Sequence, residues 1–389
     1  MVLGATGTIG RNTLDLVRRH PQRLSVLALT AHRDVEGLYE LCAEFQPRYA
    51  ALADAEALPA LAQRLRAAGL ATHAVGGAEA LAELAAHPDA DQVMSAIVGS
   101  VGLMPTLAAV RAGKRVLIAN KEPLVMAGRL LMRVAAQQQA TLIPVDSEHN
   151  AIFQCLPGGS RCGSAPAGVQ RLILTASGGP FRETPLAELE AVTPQQAVRH
   201  PNWVMGPKIS VDSATMMNKG LELIEAAVLY ALPEAQIDIV IHPESAIHSI
   251  VEYRDGSMLA QLGQADMRVP IAHALAWPER WESGVAGLDL AALGRFRFEA
   301  PDLARFPCLG LARAALRAGG AMPNVLNAAN EIAVQAFLEG TLRYTGIGHV
   351  IESTLSGAVS AGLSEGDSLD EILDVDRWAR ARATENLNA

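Results

Sequence analysis

Two segments of the chain carry carboxylates at spacings that could hold a divalent cation. In Ile143-Pro144-Val145-Asp146-Ser147-Glu148-His149-Asn150, two acids stand two residues apart at the carboxyl end of an apolar run. Extended backbone turns both to one side, roughly 6 to 7 Å apart along the chain. Like charges so placed repel unless a cation lies between them, and all-oxygen donors favour Mg²⁺ or Mn²⁺ over zinc. On a solvated loop the same motif would hold nothing. The second segment runs from Ser210 to Glu222, where Leu221, Ile224 and Val228 define a helical face and Glu222 and Glu225 fall away from it. Glu222 near a helix start could instead only complement the helix dipole.

Anion donors gather around the second segment. Ser213, Asn218 and Lys219 offer hydroxyl, amide and ammonium groups ahead of the helix, and the Ser177-Gly178-Gly179 turn offers a backbone nest. Two such loops converging would suit one phosphate. Only four of the 32 basic residues are lysines, and Lys121, Lys208 and Lys219 all fall inside motifs. The breaker-rich stretch from His200 to Pro207 reads as a loop that closes over a ligand, with Trp203 as its aromatic and a core staple as the other role for that ring. His200 could donate to phosphate, whereas His242, His248 and His273 read as structural.

At the amino terminus Gly4-Ala5-Thr6-Gly7-Thr8-Ile9-Gly10 follows a strand and opens a helix. That is the context in which glycines let backbone approach a pyrophosphate at a helix N-terminus. After the second strand the chain reads Thr30-Ala31-His32-Arg33-Asp34. A guanidinium at Arg33 suits a ribose 2′-phosphate and favours NADPH over NADH, while Asp34 pulls the other way.

These groups need rigid elements behind them. Apolar runs at Val2-Leu3, 24–29, 49–52, 92–98, 115–119 and 141–145 alternate with helical patterns, the rhythm of a parallel sheet covered on both faces. The expected class is α/β: a Rossmann-like parallel-sheet domain over residues 1–145, an α+β catalytic and connective domain over 146–280, a linker over 281–308 and a carboxy-terminal helical bundle over 309–389. In the second domain the strand candidates are 171–175, 237–241, 248–253 and 257–261. The shortness of the first strand predicts that further residues precede it.

Composition excludes other classes. At 389 residues with half of them hydrophobic, disorder is ruled out, and a net charge of −9 gives no support to a nucleic-acid surface. The uncharged run Gln92 to Val110 is interrupted by serines, glycines and Pro105, which fits strand, turn and helix start rather than a membrane span. Four cysteines without metal spacing point to a reducing cytoplasm.

Taken together, seven ordered motifs resemble the 1-deoxy-D-xylulose 5-phosphate reductoisomerase family: GATGTIG at 4–10, ANKE at 119–122, PVDSEHNAIFQ at 144–154, SGGPFRETP at 177–185, HPNW at 200–203, KISVDSATMMNKGLE at 208–222 and LNAANE at 326–331. The resemblance implies a homodimer that isomerises and reduces 1-deoxy-D-xylulose 5-phosphate to 2-C-methyl-D-erythritol 4-phosphate with NADPH and Mg²⁺ or Mn²⁺, Co²⁺ being a further candidate. It implies that Asp146, Glu148 and Glu222 hold the metal, and that Glu148, Lys121, His200 and Glu222 are catalytic. Substrate would be bound by Lys121, Ser147, Glu148, Ser177, His200, Trp203, Ser213, Asn218, Lys219 and Glu222. Cofactor would meet Gly4, Thr6, Gly7, Thr8, Ile9, Gly10, Arg33, Asp34, Asn120, Glu122, Met205 and Gly206. The mobile lid would span about 199–208. The chain departs from the family pattern at Asp34, Pro123, Pro207 and Glu244.

Two rival readings remain at this level. An NADP-linked dehydrogenase with Cys155 as nucleophile shares the glycine turn but needs no carboxylate trio. A non-enzymatic NADP sensor needs neither.

Overall fold

A computed structural model describes residues 1–201, 203 and 205–387. They form two compact units. The first takes in Met1–Pro123, Leu131–Asn150 and Asp266–Val285; the second takes in Leu124–Leu130, Ala151–Ala265 and the chain from Ala286 onward.

The first unit is built on seven parallel strands in the order β4-β3-β2-β1-β5-β6-β7. They are β1 (Val2–Leu3), β2 (Ala28–Ala31), β3 (Tyr49–Leu52), β4 (His73–Gly76), β5 (Gln92–Ser95), β6 (Arg115–Ile118) and β7 (Thr141–Pro144). Inner strands such as β2 are buried at every residue, because helices cover both faces. The second strand starts later than its apolar run suggested: the N–H groups of Arg23 and Leu24 bond back to the carbonyl of His20, and the chain is still leaving its first helix there. Edge strand β4 lacks an apolar run and escapes sequence detection, since a half-exposed edge needs no continuous hydrophobic stretch. The uncharged run from Gln92 resolves into β5, a short turn at Ser100–Gly102 and the Leu103–Arg111 helix. No helix among the described residues is long and apolar enough to cross a membrane.

In the second unit β8 (Val169–Ala176), β9 (Ile237–Ile241), β10 (Ile247–Tyr253) and β11 (Met258–Leu262) form a mixed sheet ordered β11-β10-β8-β9. The Met217–Tyr230 helix packs against β8, β9 and the Pro307–Ala318 helix. Its core is continuous with the carboxy-terminal helices Met322–Leu338, Gly346–Ser360 and Leu369–Asn386 through Leu221, Ile224, Val325, Phe337 and Ile351. The segment expected to be a plain connector carries a short helix, Leu290–Leu293, and pairs Glu299 with Ile241 at the free edge of β9.

Candidate active site

In the first unit the order of strands reverses on either side of β1, which pairs with β2 on one side and β5 on the other. Such a reversal leaves a crevice at the carboxyl ends of the strands. The glycine turn occupies it. Gly4 has φ +78° and lies so close to β5 that a Cβ there would meet the Ala96 carbonyl oxygen at 2.6 Å, so only glycine fits. Thr30 braces the turn, its Oγ1 accepting from the Gly4 N–H at 3.0 Å. At Gly10 a Cβ would strike the carbonyl oxygen of Gly4 at 2.4 Å, which keeps the Thr8–Arg19 helix against β1. That helix has no acidic residue in its first turn and no side-chain cap, and Gly7 and Thr8 are exposed. With Thr6 and Ile9 half-buried beside them, the N–H groups form an anion site at the positive end of a helix. The residues present therefore fit a dinucleotide.

Arg33 and Asp34 lie exposed at the end of β2. Asp34 caps the Val35–Phe45 helix, accepting from the Gly37 N–H at 2.9 Å. A carboxylate committed to that cap competes poorly for a ribose hydroxyl, which removes its pull against Arg33.

One element missed by sequence reasoning borders this crevice. The segment after β5 exposes Val98, Val101 and Met104 as an apolar lip, and Asn120 pins it by donating from Nδ2 to the Gly99 carbonyl at 3.0 Å. Asn120 also accepts from the Glu122 N–H at 3.3 Å, and both side chains are buried. The only sequence signal was a third glycine turn at the end of a strand.

The acidic pair sits at the same edge of the sheet, after β7. It is not extended as expected: the Ser147–Cys155 helix begins at once, so Glu148 lies in its first turn and Asp146 just before it. Helical winding draws a carboxylate oxygen of each to within 4.8 Å of the other. Lys121 Nζ is 2.8 Å from Asp146 Oδ2 with its side chain only 6% exposed, and the Ser147 hydroxyl donates to Glu148. Behind them Asn150 donates to the Pro144 carbonyl at 2.8 Å and to Nδ1 of His273 at 3.1 Å. Burial pushes the His273 ring down to about 4, with the charge of Arg280 adding to the effect, so the imidazole is neutral and accepts. His273 is thus structural, but structural for the acidic segment.

In the second unit the Pro207–Ala214 and Met217–Tyr230 helices meet at a corner where Met216 is left-handed, φ +60°, its side chain buried. A non-glycine residue there costs roughly 1 to 2 kcal/mol, offset by the packing around it. The corner sets Ser213 on one side and Asn218 and Lys219 on the other; the latter two lie inside the first turn of the helix rather than ahead of it. Glu222 and Glu225, which fall away from the Leu221, Ile224 and Val228 face, are buried all the same. They are 1% and 0% exposed, because sheet and neighbouring helix close around this helix on several sides. Asn218 and Lys219 both donate to the Glu222 carboxylate.

The Ser177 turn reaches the same corner. Gly179, φ +69°, lies so near that a Cβ would come within 2.6 Å of the Ser213 carbonyl oxygen. The two donor loops expected to converge are in contact. His200 accepts the Trp203 N–H at Nδ1, 2.9 Å away, which assigns its proton to Nε2, and Nε2 lies 3.0 Å from the Ser177 hydroxyl. Ser177 Oγ also accepts from the Gly179 N–H at 3.2 Å, leaving its own hydrogen for another acceptor. The Trp203 ring lies 6.1 Å from that of His248. Met205 is half-buried and Gly206 begins the Pro207–Ala214 helix. Asn202 and Val204 of the expected lid lie outside the described residues.

The departures have local explanations. Pro123 and Pro207 occupy first turns of helices, where a missing N–H costs nothing. Burial alone would raise the Glu244 carboxyl, but hydrogen bonds from Arg297 bring it down to about 2.

A glycine turn at a topological switch point with a paired acidic segment on the same sheet edge defines the class: a dinucleotide-linked oxidoreductase with a cation-binding segment. Comparison with known proteins makes it specific. Residues 1–128 match the 1-deoxy-D-xylulose 5-phosphate reductoisomerase family profile, and 142–230 and 262–382 match profiles of carboxy-terminal domains of the same enzyme. The chain belongs to the 1-deoxy-D-xylulose 5-phosphate reductoisomerase family. It is 58% identical to the reductoisomerase of Aromatoleum aromaticum over 388 residues, covering 100% of this chain and 96% of that one. Against the reductoisomerase of Ectopseudomonas mendocina the identity is 57%, covering 99% and 97%. A crystal structure of DOX-P reductoisomerase in complex with NADPH, fosmidomycin and magnesium superposes with a TM-score of 0.95 at 47% identity, covering 100% of this chain and 97% of that one. The Zymomonas mobilis enzyme in complex with NADPH gives 0.91 at 48%, covering 100% and 98%.

Proposed function

We propose that the chain converts 1-deoxy-D-xylulose 5-phosphate into 2-C-methyl-D-erythritol 4-phosphate, using NADPH and a divalent cation held by Asp146, Glu148 and Glu222. The observation that carries this is the carboxylate pair after β7 on the same sheet edge as the Gly4 turn. The donor set fits a hard cation, Mg²⁺ or Mn²⁺ with Co²⁺ next, since every ligand is a carboxylate oxygen. Glu222 suits the third place because it is buried and already braced by Asn218 and Lys219. When bound, the cation supplies Lewis-acid stabilisation of oxyanion character and NADPH supplies a hydride.

The chain's own residues do the rest. Lys121 orients Asp146 and stands beside the reacting oxygens, while Ser147 orients Glu148 and meets the substrate backbone. Ser177, Ser213, Asn218 and Lys219 take the phosphate, and His200 fixes Ser177 for that contact. Gly4, Thr6, Gly7, Thr8, Ile9 and Gly10 cradle the pyrophosphate; Arg33 meets the 2′-phosphate. Asn120 and Glu122 hold the lip beside the nicotinamide, and Asp34 sets the helix behind Arg33. Trp203, Met205 and Gly206 close over the bound pair and exclude water.

The working form is a homodimer in the cytoplasm. Strand β11 is a sheet edge, and Met258, Leu259 and Leu262 on it are 49%, 50% and 37% exposed, an apolar template for pairing with a second copy. All four cysteines are free thiols, which suits a reducing compartment.

The test is oxidation of NADPH, followed by absorbance, with 1-deoxy-D-xylulose 5-phosphate before and after chelation. Turnover that needs both the sugar phosphate and Mg²⁺ is expected. Turnover indifferent to chelation would leave only a dehydrogenase.

A further inference from the structure

The LNAANE motif at 326–331 lies in the Met322–Leu338 helix and has no place in the chemistry above. Asn330 is fully buried there and donates from Nδ2 to Asp212 Oδ1 at 2.8 Å. Asp212 is 1% exposed, and its other oxygen, Oδ2, is 2.9 Å from Lys208 Nζ. The next residue after Asp212 is Ser213. From the same bundle Tyr344 donates its hydroxyl to the Ala214 carbonyl at 2.6 Å, and its ring meets Phe181 edge-on at 5.2 Å. Phe181 closes the turn that begins at Ser177. The bundle therefore grips both donor loops, one on each side of the Gly179 contact with Ser213.

Stability alone accounts poorly for this arrangement. A buried carboxylate with two polar partners is often no better than apolar packing of the same volume. The Asn330 amide keeps its Oδ1 buried without a donor among the described residues, which adds a desolvation cost. What the bonds do provide is a fixed distance and orientation. Asp212 holds the last turn of the Pro207–Ala214 helix, and Tyr344 holds the carbonyl of the residue after Ser213.

We infer that Asn330 and Tyr344 are positioning residues for an anion: they set the spacing of the Ser177 and Ser213 loops so that both hydroxyls meet one phosphate. The inference rests on the reading of Ser213 as a phosphate ligand. Neither residue touches the reacting atoms, so their loss acts on capture of the phosphate end and spares the hydride step and the cofactor.

The experiment uses the full-length enzyme with Mg²⁺. Steady-state kinetics are measured for Asn330→Leu, Tyr344→Phe and Ser213→Ala, with competitive inhibition by inorganic phosphate as a probe of the anion locus. Asn330→Leu is expected to raise KM for the sugar phosphate and weaken phosphate inhibition by about tenfold, the effect of one lost hydrogen bond to a charged group. KM for NADPH should stay within about twofold, since the Gly4 turn and Arg33 lie on other loops and Gly206 is at the far end of the Pro207–Ala214 helix from the turn that Asp212 holds. Tyr344→Phe removes only a hydroxyl and should move the same two constants, by about threefold to fivefold. It keeps the question answerable if Asn330→Leu does not fold. The exchange Asn330→Asp with Asp212→Asn restores an amide-carboxylate bond and should recover part of what Asn330→Asp alone loses; no recovery counts against the bond. Unchanged substrate KM and phosphate inhibition in Tyr344→Phe and Asn330→Leu, beside a Ser213→Ala that loses both, would overturn the positioning role and leave the phosphate reading intact. A Ser213→Ala enzyme with unaltered phosphate inhibition would remove that reading itself.

Discussion

Replacing His273 by Gln should abolish a defined part of the protein's acid sensitivity. The ring is held neutral at about 4 against an ordinary value of 6.5, mainly by burial. Between those values the unfolded chain binds a proton that the folded chain refuses, so stability falls as pH drops below about 6.5 and the loss saturates below about 4. From pH 7.5 to pH 5 the single-site expression gives about 2 kcal/mol, and complete acidification about 3 kcal/mol. Gln keeps an acceptor for the Asn150 amide but takes up no proton. Urea unfolding at the two pH values, for wild type and His273→Gln, measures the difference of differences. The variant should lose about 2 kcal/mol less than wild type. Equal losses in both proteins would mean that the ring is protonated when folded, and that its bond from Asn150 is not what holds the Pro144 to Asn150 segment.

Three further outcomes test the site. Asp146→Asn should abolish turnover while leaving NADPH binding, read by fluorescence, within about twofold, because the Gly4 turn does not depend on that carboxylate. Parallel loss of both would mean that the acidic segment shapes the cofactor crevice itself. Arg33→Ala should raise KM for NADPH by about tenfold or more and leave that for NADH nearly unchanged, the signature of a lost charge-assisted bond to the 2′-phosphate. For Trp203→Ala we expect a higher KM for the sugar phosphate with an unchanged melting temperature; a fall of several degrees would assign the ring to the core instead.

Much of the fold was legible because its signals are local. The alternation of four-residue apolar runs with helical patterns identifies the parallel sheet, and β3 and β9 fall where the residues alone put them. Glycines at 4 and 10 mark the crevice, since no other residue fits so near a neighbouring backbone. Asp-x-Glu after the last parallel strand marks the acidic segment. Where the local signal was weak or contradicted by packing, the sequence misled. Strand β4 has too few apolar residues to register, and Asp146 and Glu148, expected on extended backbone, lie at the start of a helix.

Tertiary structure alone decided three things. Residues 266–285 return to the first unit, more than a hundred residues after the chain left it, and bring His273 behind the acidic segment. Asn330 and Tyr344 come from the last quarter of the chain to grip loops that begin at Ser177 and Ser213. The segment after β5 becomes a lip because Asn120 reaches back to Gly99. Residue type and spacing encode which backbone a short segment adopts and which chemistry its side chains offer. They do not encode which distant side chain fills the space behind it, because that is settled by the packing of all elements at once.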